Sequence, residues 1–322
     1  MAAAEAKEHE KLAEKALQTS WLSMRFQPDF VIASMEYSQA ATKYRAAGLL
    51  ADCVRAHFKC AELKEKQNDL FSAGRSYEQA AQICETKPEA GSPEAYWVMA
   101  IRCYRLSGKG EAAAKLVMKQ AAISEKDGDL TKARELYAEA IEIYRDEEKD
   151  YMMSDVYKQN IAFLVRSEFF SDALVAMDGH IEVLIKQGHL PFANKEILAK
   201  CVVCLWMGDT VTAEQALHGN DKMKDWFMSD EAQAGFELLA AFQNYDAEAA
   251  EQALKRQVFT FLQVEVARIA RKLRVPTVSV PPPALVAPAT LPQTLEGGLD
   301  EQSEEVQETP EPSAQNLGEL LM

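Results

Sequence analysis

Residues 28–88 read PDFVIASMEYSQAATKYRAAGLLADCVRAHFKCAELKEKQNDLFSAGRSYEQAAQICETKP. Turn-forming residues punctuate this stretch at Pro28, Gly48, Asn68 and Pro88, and the same twenty-residue step continues through Gly108, Gly128, Glu148, Glu168, Gly188 and Gly208. All but the two glutamates are residues that end helices and make turns. Five positions after the marks the side chain is small in most units: Ala33, Cys53, Ala73, Ala113, Ala133, Ala173, Ala193, Ala213. Nine positions after, it is usually large, as at Tyr37, Tyr77, Trp97, Tyr137, Tyr157 and Met177. Small or apolar residues return at twelve and thirteen (Ala40-Ala41, Ala80-Ala81, Ala140-Ile141) and at sixteen (Tyr44, Cys84, Tyr104, Tyr144). Steps of three and four place these offsets on one helical face. A twenty-residue unit leaves about 15–17 residues of helix and a short turn. Short turns make consecutive helices antiparallel, so two units form a hairpin of about forty residues. The spacing therefore predicts an all-α, tetratricopeptide-like α-solenoid of antiparallel hairpins. Alternation at period two is absent over any useful length.

The step fails after Gly208. Glu231 to Tyr245 and Asp246 to Leu273 read as two or three further helices. They form a C-terminal helical bundle that caps the array, as repeat proteins require. The expected organisation is a solenoid over 1–219, a bundle over 220–275 and a Pro-rich acidic tail over 276–322. Eight of the twelve prolines lie in that tail, which has no aromatic residue, no Lys and no Arg. Such a composition buries too little apolar surface to offset ordering entropy and predicts a disordered segment.

Lys+Arg number 35 and Asp+Glu 50 among 322 residues, a net charge of −15. The tail holds eight acids and no bases, hence −8, and the body carries the remaining −7. The acidic balance opposes sequence-independent nucleic-acid binding, which rests on cations neutralising phosphates. No apolar run reaches the ~18 residues of a membrane span. Acids at Glu5, Glu8 and Glu10 stand where a signal peptide needs cations. A cytosolic chain with six reduced cysteines is expected.

Tests for chemistry find little. GxxxxGK[ST] has no match, and Gly108-Lys109-Gly110 reads as a turn rather than a dinucleotide loop. Cys201-Val-Val-Cys204 spells CxxC, but both thiols fall at core offsets thirteen and sixteen, with no second CxxC. His57 and His180 fall at offsets nine and twelve, in or beside the core. No serine, cysteine or threonine has a neighbouring base motif, so an enzyme is not expected, nor a metal or other cofactor.

Two surfaces stand out. Trp21, Leu22, Met24 and Phe26 cluster just before Pro28, where an exposed group suits a bilayer interface. The competing reading is core, because extending the ruler back to Glu8 puts Trp21 and Met24 at core offsets. On every other helix, offset seven gives Arg75, Lys115, Asp155 and Lys195, and offsets ten and eleven add Lys158 and Lys119. Alternate helices of a solenoid share a layer, so these cations step along one surface toward an acidic partner. The bland alternative is scattered, solvated lysines.

The ordered set Met35-Glu-Tyr-Ser-Gln-Ala-Ala-Thr-Lys-Tyr-Arg45, Ala56-His-Phe-Lys-Cys-Ala-Glu62 and Ala73-Gly-Arg-Ser-Tyr-Glu-Gln-Ala-Ala81 resembles the soluble NSF attachment protein (SNAP) family, in particular its gamma type. The likeness is strong over residues 20–85 and rests on spacing through 86–275. It implies a non-enzymatic adaptor for vesicle fusion and intracellular trafficking. Such adaptors lay a basic surface on the acidic SNARE four-helix bundle, recruit the hexameric NSF ATPase to unwind it, and touch the membrane peripherally. The resemblance makes Trp21, Leu22, Met24 and Phe26 the membrane loop. It matches Lys115 and Lys158 to SNARE-contact positions, to which the ruler adds Arg75, Lys119 and Lys195. The family's ATPase-stimulating acidic end with a penultimate leucine maps to Glu319, Leu320 and Leu321. Here only Glu319 is adjacent, the denser acids lying further back. Without the family, the same helical repeat reads as a general protein-binding scaffold.

Overall fold

A computed structural model describes residues 1–19, 27–146, 150–219, 223 and 225–276. Among these residues every regular element is helical. Helix α1 spans Ala2–Leu17. Then come α2 (Phe30–Ala46), α3 (Leu50–Lys66) and α4 (Leu70–Thr86). They are followed by α5 (Glu94–Leu106), α6 (Gly110–Lys126) and α7 (Leu130–Asp146). The array continues through α8 (Asp150–Arg166), α9 (Phe170–Lys186), α10 (Leu190–Trp206) and the short α11 (Thr210–His218). From α2 to α10 every helix but α5 has 17 residues and starts two positions after a mark of the ruler. The chain is thus an α-solenoid of tetratricopeptide-like antiparallel hairpins.

The turns repeat because their chemistry repeats. Gly48, Gly188 and the non-glycine Asn68 and Glu168 take positive φ. Each closes the preceding helix with the same pair of backbone bonds. At the first turn the Gly48 N–H donates to Arg45 and the Leu49 N–H to Tyr44. That six-to-one bond is the Schellman motif. The next helix then starts on a side-chain cap where the sequence offers one. Asp29, Asp69, Asp129 and Asp209 each accept from the backbone N–H three residues on, at 2.9–3.2 Å.

The face read from the sequence is the buried face. Ala33, Tyr37, Ala40, Ala41 and Tyr44 are all 5% exposed or less, and equivalent positions repeat this to Leu217. Alanines at offsets twelve and thirteen let the helices approach closely, while the aromatic residue at nine fills the gap between hairpins. Each helix packs chiefly on its neighbours in sequence.

One extrapolation is corrected. Glu8 is not at a turn but inside α1, which ends at Leu17. The spacing that put Trp21 and Met24 at core offsets therefore does not extend back past Pro28.

After α11 the spacing changes as the loss of register predicts. Trp226–Met228 is a short 3-10 turn. It is followed by α12 (Asp230–Gln243), α13 (Ala247–Leu254), a second 3-10 stretch at Gln257–Phe261 and α14 (Val264–Lys272). Helix α12 packs on α10, α11 and α13, and α14 folds back on α8 and α10. Trp226 is fully buried and its indole N–H donates to the Leu217 carbonyl at 2.8 Å. This covers the apolar end of the array. Residues Met1–Thr277 form one compact unit.

Candidate partner-binding surface

Helices α4, α6, α8 and α10 alternate with α5, α7 and α9, so they form one layer of the solenoid. The five cations picked from the sequence all lie on it. Arg75, Lys115 and Lys158 are exposed, while Lys119 and Lys195 are partly covered. Lys119 of α6 reaches across to Glu85 of α4 at 2.6 Å, which ties adjacent helices of this layer. Lys115 pairs with Glu111 one turn back at 2.5 Å, and Lys158 with Asp155 at 3.5 Å. Arg75 makes no ion pair among the described residues. Exposed pairs of this kind contribute only about 0–1 kcal/mol each, so the cations remain available to a better acidic partner.

Two of the five converge. Lys158 and Lys195 place their Nζ atoms 6.0 and 5.9 Å from the centre of the Phe192 ring. Lys195 also lies 5.6 Å from the Phe261 ring. Both rings are more than half exposed, at 54% and 58%. The result is a cation–aromatic cluster where α8, α10 and the chain leading to α14 meet. Gln263 fixes that chain by donating its side-chain amide to the Lys158 carbonyl. Phe192 and Phe261 escaped the sequence reading, since exposed phenylalanines one residue off the core face carry no distinctive pattern. Lys115, Lys119 and Arg75 are not drawn into this cluster.

The remaining sequence candidates resolve unevenly. Trp21, Leu22, Met24 and Phe26 lie outside the described residues, as do Glu319, Leu320 and Leu321. Cys201 and Cys204 are fully buried and all six cysteines are free thiols. Burial pushes the Cys204 thiol up to about 11 and Cys201 further still. A thiolate is disfavoured at both, so the pair packs as core rather than acting in redox chemistry. Among the described residues no cluster of His, Cys, Asp or Glu could hold a metal.

The fold also assembles a trio that no spacing revealed. Ser154 of α8 has its Oγ 2.8 Å from His180 Nε2 of α9. Glu196 of α10 lies 3.4 Å from His180 Nδ1, too poorly aligned for a hydrogen bond. His180 is 1% exposed and stacks on the Tyr157 ring at 5.7 Å. The order serine–histidine–carboxylate is that of a nucleophilic triad. Yet a triad needs its carboxylate hydrogen-bonded to the imidazole, and the Glu196–His180 contact is not such a bond. The trio is a buried polar network joining three helices.

A match to the soluble NSF attachment protein (SNAP) family runs over residues 4–264. The chain belongs to the soluble NSF attachment protein family. Among curated relatives it is similar to the gamma-soluble NSF attachment protein of Dictyostelium discoideum. The two are 24% identical over 80% of this chain and 79% of that protein. The gamma-soluble NSF attachment protein of Arabidopsis thaliana is 23% identical over 82% of this chain and 91% of its own length. Among solved structures, a signal-transduction ATPase of Pyrococcus horikoshii with a tetratricopeptide repeat sensor gives a TM-score of 0.40 at 17% identity. That match covers 82% of this chain and 40% of the other. For this family member, no described helix is long and apolar enough to cross a membrane.

Proposed function

We propose that this family member is the NSF attachment adaptor for SNARE complexes, serving their disassembly in vesicle trafficking. The α4–α6–α8–α10 layer receives the acidic four-helix bundle, with Arg75, Lys115, Lys119, Lys158 and Lys195 facing it. The single observation that supports this best is the gathering of Lys158 and Lys195 around the exposed Phe192 and Phe261. Cations alone steer an acidic bundle, whereas cations backed by aromatic area also hold it. The C-terminal region, a helical bundle over 220–275 and an acidic tail that carries Glu319, Leu320 and Leu321, recruits the hexameric NSF ATPase. Trp21, Leu22, Met24 and Phe26 add a peripheral membrane contact, placing the chain in the cytoplasm and on membrane surfaces. A second weak attachment multiplies the effective affinity of the first.

The test is a pull-down with a preformed SNARE bundle. Reversal of Arg75, Lys115, Lys119 and Lys158 to Glu is expected to abolish capture with unchanged helical circular dichroism. Capture that survives reversal removes the basic layer from the interface. Addition of NSF and ATP should then release the bundle only when the chain is present, and a chain lacking Leu321 and Met322 should release it more slowly. Failure of both steps with the native chain would leave a general helical-repeat scaffold.

A further inference from the structure

On the opposite layer, a groove of about 560 Å³ runs between α7 and α9 above α8. Helix α7 packs closely on α6 and more openly on α8, which leaves this space. Ala138 and Ile141 on one side and Val175 on the other give apolar walls, Val175 being 72% exposed. Tyr157 and Asn160 line the floor. Gly179 is what admits Tyr157 there, because a Cβ at that position would stand 2.4 Å from the tyrosine hydroxyl oxygen.

The charges around the groove are unbalanced. Glu135, Glu142, Asp172, Asp178 and Glu182 line it against Arg134 and Arg145. Asp172 is paired with Arg134 at 3.1 Å, Glu142 with Arg145 at 2.6 Å and Asp178 with Lys200 at 2.5 Å. Glu135 and Glu182 are exposed and make no ion pair among the described residues. On the groove floor Asn160 is only 5% exposed, and its Oδ1 has no hydrogen-bond partner among the described residues. The equivalent position in four other units is Ala40, Ala80, Ala100 or Ala140, so the fold does not need an amide here. A buried acceptor without a donor costs about 1–3 kcal/mol.

A buried acceptor, free carboxylates at the rim and aliphatic walls together describe the complement of one kind of group. That group is a cationic N–H donor on an aliphatic stem. We propose that the α7–α9 groove takes an arginine or lysine side chain from a basic, apolar-flanked segment of a partner protein. The stem lies along Ala138 and Val175, the head group meets Glu135, and the Asn160 amide turns its oxygen up to accept one N–H, while Glu182, about two turns further along the groove, adds to its negative field. The groove's walls are α7 and α9, which carry none of the five cations proposed to face the bundle, so this partner and an acidic bundle can be held together.

The test is a titration of the isotope-labelled full chain with the peptide acetyl-Leu-Arg-Leu-amide, followed by NMR. Backbone signals of α7 and α9 beside the groove and the Asn160 side-chain amide should move in a saturable way. A peptide with citrulline for arginine, equal in shape but uncharged, should bind about tenfold more weakly, and a glutamate peptide should leave the groove signals still. Glu135→Gln with Glu182→Gln, both exposed and safe for folding, should weaken the arginine peptide about fivefold, as expected when one exposed ion pair and a second charge along the groove are lost. Asn160→Leu should weaken it further if that variant folds; the double glutamine variant decides the matter if it does not. No groove shifts, equal binding of arginine and citrulline, or binding unmoved by the double variant overturns the proposal.

Discussion

His57 shows how a single side chain records its burial. It occupies offset nine, where most units carry a large apolar residue, and is 7% exposed. Burial lowers its pKa to about 4, with the charges of Arg45 and Lys64 acting in the same direction. Folded His57 is therefore neutral at pH values where the unfolded residue, near 6.5, already takes up a proton. Stability from this site is complete above pH 6.5 and is lost progressively as pH falls toward 4. The melting temperature of the native chain should drop between pH 6.5 and 4.5, and His57→Leu should flatten that drop. An unchanged slope in the variant would assign the acid sensitivity elsewhere. Glu168 makes a second residue-scale case. It holds φ at 63°, in a turn where Gly188 and Gly208 occupy the equivalent place. A left-handed conformation costs a residue with a Cβ about 1 kcal/mol, so Glu168→Gly should raise stability by a fraction of that in denaturant melts, after the added freedom of the unfolded chain is subtracted. Gly188→Ala should lower it.

At the level of the helix, the repeated turn did most to make the fold readable. A positive-φ residue, a six-to-one backbone bond and, in several units, an aspartate cap recur at a fixed distance, so one unit specifies all. Asp69→Ala should cost about 1 kcal/mol, measured as a shift of the chemical midpoint, because the Ser72 N–H loses its acceptor. Asp69→Ser should recover most of it. Helix α5 departs from the rule in an instructive way. It begins only at Glu94 because Pro88 and Pro93 bracket a 3-10 turn that ends on Gly91 at φ 135°. It nonetheless ends on time, since Gly108 keeps the step. The candidate surface was legible only in part. Periodicity placed Arg75, Lys115, Lys119, Lys158 and Lys195 on one layer. It could not show that Phe192 and Phe261 stand beside two of them, because Phe261 arrives from a segment beyond the repeat. Nor could it show Ser154, His180 and Glu196 together, since each comes from a different helix and only their three-dimensional neighbourhood relates them.

Across the whole molecule the apolar interior is not one mass. One cluster joins buried residues of α1 to α4, from Ala6 to Cys84, and a second runs from Ala61 in α3 to Leu273 after α14. Helices α3 and α4 contribute to both, Cys60 to the first and Tyr77 to the second. Because each hairpin touches mainly its neighbours, stability is close to a sum of local terms and partial opening is permitted. Tyr44 and Phe163 test this. Tyr44 is 1% exposed and donates its hydroxyl to Glu10 at 2.5 Å, joining α2 to α1. Phe163 is fully buried between Tyr137 and Phe169 in the second cluster. Truncation of either ring to alanine removes about 3–5 kcal/mol of packing. Hydrogen exchange read by mass spectrometry should then divide the chain. Tyr44→Ala should speed exchange in α1 to α4 and leave α8 to α14 at the native rate, while Phe163→Ala should loosen α7 to α9 and spare α1 and α2. Uniform acceleration in both variants would mean that the two clusters unfold as one, and the protein would then be a rigid block rather than an array whose N-terminal hairpins can open while α8 to α14 stay formed.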